Sequence, residues 1–262
     1  MTGTPARPLL RIEDVHRDFG GLRALAGCSL AVETGTVTGL IGPNGSGKTT
    51  LFNVVTGYDR PDSGRVRLDG QEITGAAPDA VGRLGLARTF QLTRVFDRLS
   101  LLDNLRVGAA AVPRARRQAL YRESRCLELL DVVGLVDHAD RRAGELSYGQ
   151  RKLVELATVL AQQPRIVLLD EPAGGVNPGL IARIGGLIRE LNRSGTTFLV
   201  VEHNMEFVMG VCDTVAVMER GEVIAQGEPE AIRTDPRVLD AYLGGGLDDE
   251  PFGAEAEPGE EG

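Results

Sequence analysis

The chain has too few cysteines for a disulfide framework. Cys28, Cys126 and Cys212 are scattered, odd in number and without CxxC spacing, so neither bridges nor a cysteine zinc site is expected, and a reducing cytosol fits. Positive charge is in short supply. At a formal net charge of -8 there is no general surplus of Lys and Arg to neutralise phosphates, which argues against nucleic acid as a partner. No uninterrupted apolar run approaches the roughly 18 residues that a membrane helix needs. Met1 to Pro8 lacks the apolar core of a secretory signal, so the expectation is a chain that stays in water by itself. Internal repeats are absent. What is present is 262 residues, ample for a sizeable core in one large α/β domain or two small ones.

The most informative stretch is Gly42-Pro43-Asn44-Gly45-Ser46-Gly47-Lys48-Thr49-Thr50, a glycine-rich phosphate loop. Ahead of it Val37 to Ile41 suits a buried strand; behind it Leu51, Phe52, Val54 and Val55 begin a helix expected to end near Gly57. That context separates it from a glycine-rich turn without a ligand. Glycines at 42, 45 and 47 let the backbone curl with its N–H groups inward, and the helix N-terminus adds partial positive charge. Lys48 would reach the β- and γ-phosphates, Thr49 would place its hydroxyl on Mg²⁺, and Thr50 would donate to the neighbouring phosphate. Asn44 and Ser46 complete the candidate set.

Leu9 to Val15, Cys28 to Val32 and Arg65 to Asp69 read as strands of an antiparallel layer, with a polar turn over 58–64. Between the first two lies Phe19, which could stack on a nucleobase; a lone Phe is more often core, and core is the reading its residue type favours. Pro78 to Leu84 predicts a short helix and Leu86 to Gln91 a strand ending in a polar residue, which makes Gln91 a ligand-contact candidate. Ser100 predicts a helix cap with Asp103 at the capping-box offset, and Arg114 to Gly134 a further helix with a basic start, read as a solvated face before a contact with anionic headgroups or a membrane partner. This block, about 92–163, interrupts the strand-helix alternation as an inserted helical subdomain.

Alternation resumes with the apolar strand Ile166 to Leu169, which ends in Asp170-Glu171. Beside a phosphate loop, Asp170 is placed to hold Mg²⁺ directly or through water and Glu171 to orient or deprotonate an attacking water. Leu180 to Leu191 predicts an amphipathic helix, and Thr196 to Val201 a strand delivering Glu202-His203 to the same sheet edge, where His203 could sense the γ-phosphate although a lone His is usually structural. Thr214 to Met218 and Glu222 to Gln226 read as a hairpin, and Pro236 to Leu243 as a closing helix. Residues 1–8 are expected to be a flexible start to a domain spanning 9–243, and 244–262, rich in Gly, Glu, Asp and Pro, a disordered acidic tail.

The phosphate loop, Gln91, Leu146-Ser147-Tyr148-Gly149-Gln150, Asp170-Glu171 and His203 stand in the order found in ATP-binding-cassette transporter ATPases, which the chain resembles from Leu9 to Leu243. The resemblance implies a P-loop NTPase α/β core with an antiparallel β subdomain and an inserted helical subdomain, with ATP and Mg²⁺ as ligands. It implies that Phe19 stacks on adenine, that Gln91 links Mg²⁺ and water to the membrane subunit, and that His203 is the switch histidine. Ser147 to Gln150 would meet the γ-phosphate of ATP held by a second ATPase subunit, so each site needs two chains. Arg88 to Gln91, Glu171 to Pro178, Glu202 to Met205 and Asp240 to Gly244 are similar to the longer ATPase type of branched-chain amino acid uptake systems.

That similarity implies a peripheral protein at the cytoplasmic face of the membrane, with integral permease subunits as partners and an extracytoplasmic substrate-binding protein acting indirectly. Urea or amide uptake, lipid export and a non-transport mechanical module are the rivals; tandem cassettes, coiled-coil arms and basic surfaces, which such modules carry, are missing here. The guanine-reading Asn-Lys-x-Asp pattern that a GTPase would carry is absent from the chain. The chain departs from the broad family at Tyr148, at Leu153 and at Asn177, which stands in the dimer-interface loop where Asp is usual.

Overall fold

The computed structural model describes residues 8–91, 93–110 and 123–243. The basic run Arg114 to Arg117, the first seven residues and the acidic tail lie outside them. Strands β1 (Pro8–Phe19), β2 (Leu22–Glu33) and β3 (Val37–Ile41) lead into helix α1 (Lys48–Val55), followed by β4 (Ser63–Leu68), β5 (Gln71–Glu72), α2 (Pro78–Arg83) and β6 (Leu86–Arg88). A helical stretch then holds α3 (Leu101–Ala110), α4 (Glu123–Val132), two short 3-10 turns and α5 (Tyr148–Leu160). The chain returns through β7 (Ile166–Asp170), α6 (Pro178–Arg193), β8 (Thr197–Val201), α7 (Met205–Val211), β9 (Thr214–Glu219) and β10 (Glu222–Gly227) to α8 (Pro229–Arg233) and α9 (Pro236–Leu243).

Among the described residues the strands form two sheets: an antiparallel one ordered β2-β1-β4-β5, and a six-stranded one ordered β10-β9-β3-β8-β7-β6 in which only β10 runs antiparallel to its neighbour. Every residue of β3, β7 and β8 is buried, as a parallel sheet covered on both faces requires. Successive side chains divide between two cores, because a strand turns alternate residues to opposite faces. Val167, Leu169, Phe198 and Val200 pack with the helical stretch, α6 and α7, whereas Leu168, Leu199 and Val201 pack with α1 and the antiparallel sheet.

Three expectations about extent are corrected. β1 and β2 reach well past Val15 and start well before Cys28, because the hairpin closes at Gly20-Gly21 (φ 53° and 95°) with Phe19 opposite Leu22, and its tip is too exposed to show an apolar alternation. β6 stops at Arg88 rather than running to Gln91, since the N–H groups of Phe90 and Arg94 donate to the Glu155 carboxylate instead of to a neighbouring strand. β4 turns out of the sheet at Asp69 (φ 51°). Ser100 does cap the next helix, accepting from the Asp103 N–H at 3.0 Å.

Phe198 is fully buried on β8, between β3 and β7 in the middle of the sheet. Replacing it with Ala removes a large side chain from a site that cannot collapse, and is expected to cost about 3 to 5 kcal/mol, read as a lowered urea midpoint.

Candidate active site

The phosphate loop joins β3 to α1. Gly47, at φ 105°, stands before the first turn of α1, which carries neither a side-chain cap nor an acidic residue, so its N–H groups face the loop without an internal anion. Gly42, at φ 148°, has no room for a side chain: an added Cβ would strike the Met218 carbonyl on β9. Lys48 is buried, and its Nζ donates to Gly42 O at 2.7 Å, Pro43 O at 2.9 Å and Ser46 Oγ at 3.2 Å. The ammonium is thus held against the loop from inside.

A cleft of about 410 Å³ opens over this loop. Of the residues singled out in the sequence, Phe19, Asn44, Gly45, Ser46, Gly47, Lys48, Thr49, Thr50, Gln91, Glu171 and His203 line it. Phe19 is 41% exposed rather than core, with the Arg17 guanidinium 4.4 Å over its ring. Asp62 holds that guanidinium at 3.1 Å, and its carboxyl lies below the usual range chiefly because the Asp18 N–H donates to it, with Arg17 adding its charge.

Glu171 closes the opposite wall. Its backbone leaves β7 at φ 48°, a conformation that costs a non-glycine residue on the order of 1 kcal/mol. The Glu171 N–H donates to Val201 O at 2.9 Å, and its carbonyl accepts from Lys152 Nζ at 2.7 Å. The carboxylate reaches two partners: Gln91 Nε2 donates to Oε2 at 3.0 Å, and His203 Nε2 lies 3.1 Å from Oε1. The loop after β3 and the segments after β6, β7 and β8 therefore meet at the carboxyl ends of one parallel sheet, where ligands settle in such folds.

Asp170 is placed differently. Its carboxylate pairs with Arg88 Nη2 at 2.7 Å, both side chains 6% exposed, and it does not line the cleft. Neither do Gly42, Ser147 to Gln150 or Asn177. Ser147 caps α5 in a reciprocal box with Gln150, Tyr148 Oη donates to Gln91 O at 3.4 Å, and Asn177 Oδ1 accepts from Leu180 N at 2.9 Å as the cap of α6. Among the described residues no cluster of three or more His, Cys, Asp or Glu side chains forms a cation cage. The hard-oxygen set around the loop instead suits Mg²⁺, which keeps waters and substrate phosphates as most of its ligands.

Three buried charges stand beside the cleft: Lys152 and Glu155, which the sequence does not single out, and Glu202, which it places at this sheet edge without a role. Lys152 donates to Glu171 O and Gly174 O, each at 2.7 Å, and burial lowers its pKa. Glu155 accepts the Phe90 and Arg94 N–H groups at 3.2 and 3.3 Å, and burial pushes its carboxyl up from 4.5 to about 7. Glu202 accepts from Ala173 N at 2.6 Å and from His203 N at 3.0 Å, and burial again raises its pKa. The signal available in the sequence was a charge set among apolar neighbours, Leu153 and Val154 in α5 and Val200 and Val201 in β8. Burial pushes the Cys28 and Cys212 thiols to about 12, which removes them as nucleophiles.

The family model described as ABC transporter matches residues 25–174, and one described as branched-chain amino acid ATP-binding cassette transporter matches residues 222–248. The chain belongs to the ABC transporter ATPases. The cassette is 39% identical over 252 residues to BraF of Pseudomonas aeruginosa, a high-affinity branched-chain amino acid transport ATP-binding protein, covering 91% of this chain and 99% of that one. It is 38% identical, with the same coverage, to LivG of Escherichia coli, which has the same description. Among solved structures, the ADP conformation of an ATP-binding cassette of an ABC transporter superposes with a TM-score of 0.82 at 36% identity, over 91% of this chain and 100% of that one.

Two outcomes test the buried charges of the cassette. Asp170→Ala strands Arg88 and is expected to cost about 3 kcal/mol in urea denaturation, while adding Arg88→Met recovers part of that loss; strictly additive costs would show the pair uncoupled. For Glu155 the folded chain holds its proton to about 7 and the unfolded chain only to about 4.5. The folded state therefore binds more protons between those values, and the group's contribution to stability falls as pH rises through the window. Glu155→Gln should flatten that part of the stability-pH curve.

Proposed function

We propose that this cassette binds ATP with Mg²⁺ over the phosphate loop and hydrolyses it at a dimer interface, driving a membrane permease that imports branched-chain amino acids. The observation that carries the chemistry is the Glu171 carboxylate held between Gln91 and His203 across the cleft from Lys48. Phe19, backed by Arg17, offers its open ring face to adenine. The loop N–H groups and Lys48 take the β- and γ-phosphates, and Thr50 donates to the adjacent one. Thr49 and Gln91 would hold Mg²⁺ directly and Asp170, engaged by Arg88, through water; the ion supplies charge neutralisation on the phosphate oxygens.

Glu171 orients a water for in-line attack on the γ-phosphorus and accepts its proton as the bond to the bridging oxygen breaks, leaving ADP and phosphate. His203 contacts the γ-phosphate. Ser147, Tyr148, Gly149 and Gln150, which do not line their own cleft, serve the site of a second ATPase subunit, and Asn177 stands in the loop between the two sites. Among the described residues no helix is long and apolar enough to cross a membrane. The transport descriptions of BraF and LivG support a translocation path in separate permease subunits, with this subunit peripheral at their cytoplasmic face. The groove between α2 and the helical stretch, lined by Tyr58, Phe90 and Ala110 near Gln91, suits that contact. The cargo follows from BraF and LivG and from the match over 222–248.

Glu171→Gln is expected to lower ATP turnover by a hundredfold or more while leaving ATP affinity within a few-fold, measured by phosphate release and nucleotide titration. Near-normal turnover would remove Glu171 from its role. For cargo, the reconstituted transporter with its binding protein is offered labelled leucine, valine, urea and short amides. Uptake of leucine and valine is expected; uptake of urea or amides alone, or ATP-dependent extraction of lipid, would overturn the cargo.

A further inference from the structure

Helix α5 presents one polar face to two segments of the cleft wall. Tyr148, Lys152 and Glu155 follow one another at four- and three-residue spacing, which stacks them along a single side of a helix. Each reaches backbone rather than side chain. Tyr148 Oη donates to Gln91 O, and Glu155 Oε1 accepts from Phe90 N and Arg94 N, so Gln91 lies inside a stretch tied at both ends to α5. Lys152 Nζ donates to the carbonyls of Glu171 and Gly174 at 2.7 Å each and approaches that of Pro172 at 3.4 Å.

We propose that Lys152 and Glu155 are positioning residues for hydrolysis: Glu155 grips the backbone on either side of Gln91, Lys152 grips the backbone at Glu171 and just after it, and together they make α5 the element that sets the distance between those two side chains. The inference rests on the roles proposed above for Gln91 and Glu171. Both gripped segments need an outside hold. After Arg88 the chain leaves the sheet, so the N–H groups of Phe90 and Arg94 have no ladder partner and take the Glu155 carboxylate. At Glu171 the backbone is left-handed, and its carbonyl converges with that of Gly174 on one ammonium. The 3.0 Å contact between Gln91 and Glu171 then spans two segments fastened to the same rigid rod, three residues apart along it. Displacing α5 moves both together; releasing one grip lets them separate.

The test uses the full chain and five variants: Glu171→Gln, Lys152→Met, Lys152→Gln, Glu155→Ala and Glu155→Gln. Turnover, ATP affinity by titration and hydrogen exchange at the amides of residues 90–94 are measured for each folded protein. Lys152→Met and Glu155→Ala are expected to lower kcat by about tenfold or more with ATP affinity within about threefold, the split that separates positioning from binding. The Gln variants keep one hydrogen-bonding atom at each place and should lose about threefold to tenfold. Glu155→Ala should speed exchange at the amides of Phe90 and Arg94 with that of Val208 in α7 unchanged. Where the Met or Ala variant fails to fold, the Gln variant at the same position decides, since its kcat must still fall at constant affinity. Hydrolysis that needs Glu171 yet stays within twofold of normal in the folded Lys152 and Glu155 variants overturns the inference alone. Hydrolysis that persists in Glu171→Gln overturns the reading beneath it.

Discussion

The left-handed backbone of Glu171 is the constraint on which the site depends. A glutamate gains nothing locally from φ 48°, so the conformation persists because its surroundings fix it from several sides. β8 accepts its N–H, Lys152 collects its carbonyl, and Glu202 takes the N–H of Ala173 two residues on. The result is a side chain turned out of the sheet and across the cleft, where the ends of β6 and β8 bring Gln91 and His203 within about 3 Å of its two oxygens. An unstrained continuation of β7 would keep side chains alternating between the two cores.

Charge around the cleft is organised by whether a group may leave its partners. Arg88 and Asp170 are paired side chain to side chain and nearly dry, a geometry that is weak as net stabilisation and strong as a lock, since removing either partner leaves a buried charge. Lys152, Glu155 and Glu202 instead meet backbone dipoles. Burial shifts each of the three toward its neutral form, so the hydrogen bonds offset a desolvation cost rather than adding to an independent attraction. Lys48 belongs to a different class. Its loop oxygens hold it beside an open helix N-terminus, ready for an anion of higher charge than any carbonyl can offer.

Those distinctions explain what the sequence made legible. β3, β7 and β8 announced themselves because a doubly covered parallel strand is a short continuous apolar run, and the phosphate loop because its glycines and Lys48 sit between two such recognisable elements. Asp170 and Glu171 take different roles already in the sequence, but that Asp170 is turned to Arg88 and away from the cleft while Glu171 faces it is visible only in the fold. Phe19 reads as core by residue type, yet the hairpin tip carries it to the surface, because the pairing that extends β1 and β2 is made by backbone and leaves no pattern in side chains. Lys152 and Glu155 escaped because their partners are main-chain atoms 19 and 65 residues away, which no local periodicity encodes, and Glu202, though placed at this edge, hid its hold on Ala173 N for the same reason.

The departures at Tyr148 and Asn177 have a shared structural basis. A Cβ on Gly149 would meet the Leu180 side chain on the first turn of α6, so the start of α5 lies close against the start of α6 and a side chain at 149 would require Leu180 to move. Tyr148 fills the remaining space, its ring lying against Gly175 and its hydroxyl on Gln91 O. Asn177 caps α6 through Oδ1, a task an amide performs about as well as a carboxylate, so the missing charge leaves this joint intact. Ser147 is likewise compatible with two duties. Its oxygen accepts from Gln150 N in the capping box, while its hydroxyl hydrogen stays available to donate, because one hydroxyl holds both functions. An anion arriving from outside the chain would thus meet a donor already fixed in direction by the cap, on a helix whose next two turns reach back to Gln91 and Glu171.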